Sequence, residues 1–317
     1  MKTPSASRYA HSMAGSLLAV TLLATTLMES VLSQPAETAT NKIMLLTGQS
    51  SIYHDWTKSS PLLERILADT GLFDIDVVKT PPAEASMDGF APDWSQYAAV
   101  VLDYEGADWP AATRQSFEAY LSAGGGLVLI HAADNAFPQW PEFQAMAGVG
   151  GWGGRDESAG PMLRWRDGGP VIEQGEGIAM HPPQHDFEVV TRTPDHPIMR
   201  GLPAAWLQAH DELYSQLRGP ADNVTILATA KAEPPRPSAS GENEPILMVI
   251  RYGEGRVFHT TLGHVSPRDT LPVATMSSVG FIVTVQRGTE WAATGKVTQT
   301  VPTDFPTATA TSLRALD

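Results

Sequence analysis

The chain has 317 residues, 42% of them apolar, enough to bury a full core in one large domain without requiring a second. Its 35 acidic and 21 basic residues give a formal charge of −14, which repels polyphosphates and argues against nucleic acid as a partner. There is no cysteine, so disulfides, thiolate metal ligands, lipoprotein anchors and cysteine nucleophiles are excluded, and any chemistry falls to His, Asp, Glu, Ser or a metal.

In chain order, Lys2 and Arg8 precede a mostly apolar stretch from Met13 to Met28, followed by small residues around Val31-Leu32-Ser33. This order predicts a cleaved secretory signal over residues 1–33 and a periplasmic or secreted protein without a stable membrane anchor. The apolar run is shorter than the ~20 residues that a membrane span prefers.

Ile43-Met44-Leu45-Leu46-Thr47-Gly48 reads as a buried parallel strand ending in a glycine turn. Lys58 to Asp69 then sets Leu62, Leu63, Ile66 and Leu67 on one helical face, with Gly71 closing it, and Phe73 to Val78 is the second strand. Ala98 to Asp103 is the third. Pro110 opens a helix holding Phe117, Tyr120 and Leu121, which Gly124-Gly125-Gly126 ends, and Leu127 to Ile130 forms a fourth strand running straight into His131.

Beyond Gly148 the alternation weakens and Gly, Pro and Trp become frequent, until Thr225 to Ala230. Ile246 to Arg251 and Arg256 to Thr261, joined by Tyr252-Gly253-Glu254-Gly255, predict a hairpin, and Leu271 to Gln286 a last helix. The prolines and charges of Lys231 to Glu244 suit an exposed loop, and the Thr/Ala/Pro-rich residues 291–317 suit a disordered tail. The whole pattern predicts an α/β fold, a mostly parallel sheet with helices on both faces, in one domain over residues 42–290.

Ligands of such sheets bind beyond the carboxyl ends of the strands. Tyr53-His54-Asp55-Trp56 follow the first strand, Asp103-Tyr104-Glu105 the third, and His131-Ala132-Ala133-Asp134-Asn135 the fourth, so a parallel sheet brings three polar groups to one edge. Each taken singly is the kind of residue that ordinarily serves a turn or a helix cap; three at equivalent positions point to a shared pocket.

In the second half, the prolines in His181-Pro182-Pro183-Gln184-His185 rule out a helical His-x-x-x-His face. An extended loop can still aim both imidazoles at a divalent ion such as zinc or manganese. His196, in Asp195-His196-Pro197-Ile198, reads as a turn residue. Within Asp211-Glu212-Leu213-Tyr214, Glu212 suits a base or a sugar-hydroxyl acceptor as well as it suits a helix-start acid. His264 lies either on the ligand edge or at the surface. Trp56, Trp109, Trp140, Trp152 and Trp165 lie in or near the site loops, where sugars stack on such rings, although core or lid packing accounts for them equally.

The sequence resembles the ThuA-like (trehalose-utilisation) proteins, which share the flavodoxin-like fold of the class I glutamine amidotransferases. The resemblance spans Ile43 to Phe281. Its motifs are Leu45-Leu46-Thr47-Gly48 with His54, Gly124-Gly125-Gly126-Leu127-Val128-Leu129-Ile130-His131, His196-Pro197-Ile198 with Gly201-Leu202, Asp211-Glu212-Leu213-Tyr214, and Gly255-Arg256-Val257-Phe258 with Gly263-His264. Where the amidotransferases present their cysteine this chain has His131 and two alanines, which excludes glutaminase and cysteine-peptidase activity.

The resemblance implies the handling of disaccharides, sugars oxidised to 3-keto derivatives by a partner dehydrogenase. A 3-keto sugar has an acidified C–H beside its carbonyl, open to isomerisation or elimination. On that reading His54 and His131 polarise the carbonyl or hold a metal, Glu105 or Glu212 is the base, and His181 and His185 complete the ligand set. Asp103, Asp134, Tyr214 and Trp56 then hold the sugar. Two other readings stand beside it: a non-catalytic carbohydrate-binding or scaffolding module, and a glycoside hydrolase with Glu105 and Glu212 ~5–10 Å apart.

Overall fold

The apolar runs read from the sequence become strands β1 (Asn41–Thr47), β2 (Phe73–Lys79), β3 (Ala99–Leu102) and β4 (Gly126–Ile130), separated by helices α1 (Trp56–Ala68) and α2 (Ala111–Ser122). The structure, a computed structural model, describes residues 40–316; the signal segment read at residues 1–33 lies outside them. Alternate residues of these strands feed two cores. Ile43, Leu45, Val101 and Val128 face one side, and Met44, Leu46, Val100, Leu102 and Leu129 face the other. With both faces covered, the runs are apolar throughout rather than alternating.

After the short helix α3 (Pro141–Ala147) the chain changes character. Strands β5 (Met162–Arg166), β6 (Gly169–Glu173), β7 (His185–Thr191), β8 (Ala205–Asp211), β9 (Val224–Lys231), β10 (Asn243–Tyr252) and β11 (Gly255–Thr260) follow with no α-helix between them, and α4 (Ala274–Ser277) and α5 (Val279–Thr294) close the chain. The last helical segment therefore starts later than Leu271 and runs past Gln286, broken at Ser278.

The sheet has eleven strands, with the order β2-β1-β3-β4-β11-β10-β9-β7-β8 and β5–β6 attached to β10. From β2 to β11 the neighbours are parallel. Every other pairing is antiparallel. The expectation of a mostly parallel sheet is thus corrected to a mixed, mostly antiparallel one. A parallel pair needs a crossover of a dozen or more residues, usually a helix, and the second half connects its strands without one.

Two features position the site. In the parallel part Ile43 is level with Ala99, Ala99 with Gly126, and Gly126 with Arg256, so β1, β3, β4 and β11 end at one edge. The reversals from β11 through β10, β9 and β7 leave β8 pointing the same way, and its last residue, Asp211, accepts hydrogen bonds from the backbone of Gly263 and His264 beyond β11.

The tail read as disordered is instead seated on the body. Leu207 N–H donates to Thr307 O at 2.8 Å, Val279 N–H to Ser312 O at 2.9 Å, and the Phe305 ring lies 5.5 Å from that of Trp206, which is fully buried. Composition does not show that an indole on β8 needs this cover.

Candidate functional site

His131 is the first residue after β4 and has φ +45°, a left-handed conformation that is costly for any residue with a Cβ and is kept where surrounding contacts enforce it. Its Nδ1 lies 2.7 Å from Thr261 O beyond β11. A carbonyl only accepts, so Nδ1 carries the proton and Nε2 presents a lone pair to the interior of the site. Burial, with the neighbouring His54 and His264, holds this imidazole well below its ordinary pKa of 6.5, which keeps it neutral.

Three further groups meet that lone pair. Nδ1 of His264 lies 3.1 Å from His131 Nε2 and 3.1 Å from Glu212 Oε2, which is itself 3.7 Å from His131 Nε2. His54, from the loop after β1, gives its Nδ1 proton to Glu105 Oε2 at 2.8 Å, which leaves its Nε2 lone pair facing inward. The three imidazoles sit 5.1–5.2 Å apart, ring centre to ring centre, at steep mutual angles. One ligand atom from each of His54, His131, His264 and Glu212 lies within 4.8 Å of all the others.

This arrangement fits a metal. A tetrahedral ion with bonds of about 2.0–2.1 Å needs ligand-to-ligand edges of about 3.3 Å, and three imidazoles with one carboxylate form an ordinary donor set for zinc or a similar ion, which would displace the proton that Glu212 favours on His264. The pairings of His54 with Glu105 and of His131 with Thr261 O are the outer hydrogen bonds that orient such ligands.

Other groups complete the centre. The Tyr214 hydroxyl is 2.8 Å from His131 Nε2 and 3.4 Å from His54 Nε2; burial pushes its pKa well above 10, so it stays a proton donor. Glu212 keeps His264 above the ordinary imidazole value even though burial opposes the charge. Asp211, fully buried, accepts from the backbone N–H groups of Glu212, Gly263 and His264, and burial still raises its carboxyl to about 7.

These residues open into a cavity of 690 Å³ whose walls include Tyr53, Glu105, Asn135, Trp152, His181 and Tyr214. The Trp152 ring packs 4.5 Å from Tyr214 and 5.8 Å from His181. His181 is within 3.7 Å of Glu212 Oε1.

Of the residues singled out from the sequence, His54, Glu105, His131, Glu212 and Tyr214 come together, and His181 stands at the cavity wall. Four are placed differently. His185 opens β7, with Nδ1 on Pro183 O and its ring on Phe187; the groups that lie close enough to hold an ion are His54, His131, His264 and Glu212, not His181 with His185. Asp103 is half-buried against α1, accepting from Ser59 and Ser60, and desolvation raises its carboxyl. Asp134 is fully buried against His259. Trp56 opens α1 with Lys79 over its ring at 5.3 Å, away from the cavity.

His264, open from the sequence between the ligand edge and the surface, is buried within the cluster. Asn135 closes the polar group read after the fourth strand but has no role assigned from the sequence, and His259 is not singled out there. His259 lies inside a strand that reads as apolar, which gives no signal of its buried partner.

The fold and site together define a mixed-sheet α/β protein in which the turn after β4 carries a buried histidine that could ligate a metal. Residues 42–292 match the family described as trehalose utilisation (ThuA), and the chain belongs to that family. Among solved structures it is similar to a ThuA-like protein from Parabacteroides merdae, at 44% identity over 87% of this chain and 98% of that one, with TM-score 0.82. A ThuA-like protein from Bacteroides uniformis shares the fold at 15% identity over 84% of this chain and 98% of that one, with TM-score 0.52. A comparison with curated proteins finds no match.

Proposed function

We propose that this protein is an exported, metal-dependent enzyme that isomerises a keto-sugar, or eliminates its glycosidic oxygen, with 3-keto disaccharides as the substrate class. The observation that carries the reading is the convergence of His54, His131, His264 and Glu212 on one point beside an aromatic-walled cavity. The family description, trehalose utilisation, supports a carbohydrate as ligand.

His54, His131, His264 and Glu212 would hold a zinc or manganese ion, which would supply Lewis-acid chemistry toward the sugar carbonyl. The protein supplies the rest. Both carboxylates named from the sequence as bases are engaged, Glu105 by His54 and Glu212 by His264. The base is therefore His181, which lines the cavity, gives its Nδ1 proton to Pro182 O at 2.9 Å and has no hydrogen-bond partner on Nε2 among the described residues. It takes the proton from the carbon beside the carbonyl. Tyr214 donates a hydrogen bond to the oxygen on which charge builds. In elimination the C–H pair becomes the new C=C bond, and the C–O pair leaves with the glycosidic oxygen.

The role of the partner dehydrogenase is to supply the ketone by oxidising a sugar hydroxyl. The test is turnover of a 3-keto disaccharide by wild type and by His131→Ala and Glu212→Gln. Both changes are expected to lower turnover by at least about a hundredfold. Intact turnover in either variant contradicts the reading. Tight sugar binding by wild type without turnover gives the non-catalytic binding module instead.

A further inference from the structure

The proposed chemistry leaves one buried polar assembly without a role. Asp134 and His259 are both fully buried, with Asp134 Oδ2 3.1 Å from His259 Nε2, and His259 donates its Nδ1 proton to Ala147 O at 2.9 Å. Taking such a pair out of water is costly unless every remaining polar atom is matched. The surroundings assign the Asn135 carboxamide: Asp134 Oδ1 and Gly151 O can only accept, so the amide nitrogen belongs on their side, where it reaches Asp134 Oδ1 at 2.7 Å and Gly151 O at 3.2 Å.

The consequence falls on Asn135. Both amide protons are used on the buried side, so the carboxamide oxygen faces the other way, toward the Tyr214 hydroxyl and the cavity that Asn135 lines. The backbone on either side is pinned as well: the buried Arg155 guanidinium donates to the carbonyls of Asp134, Asn135 and Ala136 at 3.1–3.2 Å. A fixed, acceptor-only group therefore stands beside the proton donor of the site.

We propose that Asn135 accepts a hydrogen bond from a substrate hydroxyl adjacent to the reacting carbonyl, and that Asp134 and His259 are positioning residues that aim it. This rests on the carbonyl chemistry proposed above and makes one of the two hydroxyls flanking the ketone a recognition element of the substrate. Tyr214 serves the carbonyl oxygen and Asn135 its neighbour, so a sugar lacking the neighbouring hydroxyl leaves a buried acceptor unmatched and is rejected.

The probes are a methyl 3-keto-glucopyranoside and its 2-deoxy and 4-deoxy analogues, assayed with wild type, Asn135→Ala, Asp134→Ala and Asp134→Asn, with metal content measured on each. Wild type is expected to discriminate against one deoxy analogue by at least about tenfold in kcat/KM. Asn135→Ala and Asp134→Ala lose that discrimination while holding the metal content of wild type. Asp134→Asn, whose amide oxygen accepts from Asn135 and whose amide nitrogen donates to a neutral His259 Nε2, restores it. Unchanged discrimination in Asn135→Ala, or wild type turning over all three probes alike, overturns the proposal and leaves the metal-assisted reading standing. Wild type that neither binds nor turns over the parent probe overturns both.

Discussion

The Nδ1 atom of His54 lies 2.8 Å from Oε2 of Glu105, a residue brought to it from the end of a different strand. Ser51 Oγ lies 3.1 Å from the same nitrogen. The carboxylate fixes both the tautomer and the ring plane, and so decides that Nε2 faces His131 and His264.

Glu105→Leu is therefore expected to weaken zinc binding by about 10–100-fold, read by competition with a chelating dye. Glu105→Gln keeps an acceptor for the Nδ1 proton and should fall between Leu and wild type. Equal affinities in all three would show that His54 is not a ligand.

His196 supplies a pH test far from the cluster. Burial, with help from Arg251 and Arg200, lowers its pKa from 6.5 to about 4, and its ring packs 5.0 Å from that of Trp291. The folded value is below the unfolded one, so the unfolded chain takes up the proton first. The stability His196 provides is complete above pH 6.5 and is lost as pH falls toward 4. Because the ring is partly solvated, the effect is discounted to about 2–4 °C in Tm. His196→Asn should lose that much less Tm than wild type between pH 6.5 and 4.5; parallel pH profiles would contradict the assignment.

The chain beyond residue 300 covers Trp206 through Phe305 and adds the Leu207–Thr307 hydrogen bond to β8. Ending the chain there is expected to cost about 2–4 kcal/mol and to shift Trp fluorescence to the red. A truncated chain with unchanged melting and emission would show that the tail contributes nothing.

What the sequence reveals and conceals follows from what each signal measures. Leu127 to Ile130 reads as a strand because it is buried on both faces, and the glycines before it and His131 after it mark the elbow without further help. Hydrophobic runs report burial but not the direction of the neighbouring strand: the turn Tyr252-Gly253-Glu254-Gly255 makes the antiparallel β10–β11 pair legible, whereas β7 and β8 lie in the stretch rich in Gly, Pro and Trp and offer no such signal.

Site residues were legible where they follow a parallel strand, as His54, Glu105 and His131 do. Asp103 and Asp134 occupy equivalent positions yet turn inward, one to Ser59 and Ser60 and the other to His259, and nothing in the spacing tells a carboxylate that serves the pocket from one that serves the core. His185 failed for the opposite reason: it lies four residues from His181, but it begins an edge-region strand that carries it away from the cavity.

The central claim is that His54, His131, His264 and Glu212 hold a divalent ion, and elemental analysis of the protein tests it most directly. The protein is purified without chelator or affinity histidines and compared with His131→Ala and His264→Ala. The account predicts near-stoichiometric zinc or manganese in wild type and little in either variant, with all three folded by circular dichroism. Wild type that contains no metal and takes up none on dialysis against zinc or manganese would contradict it.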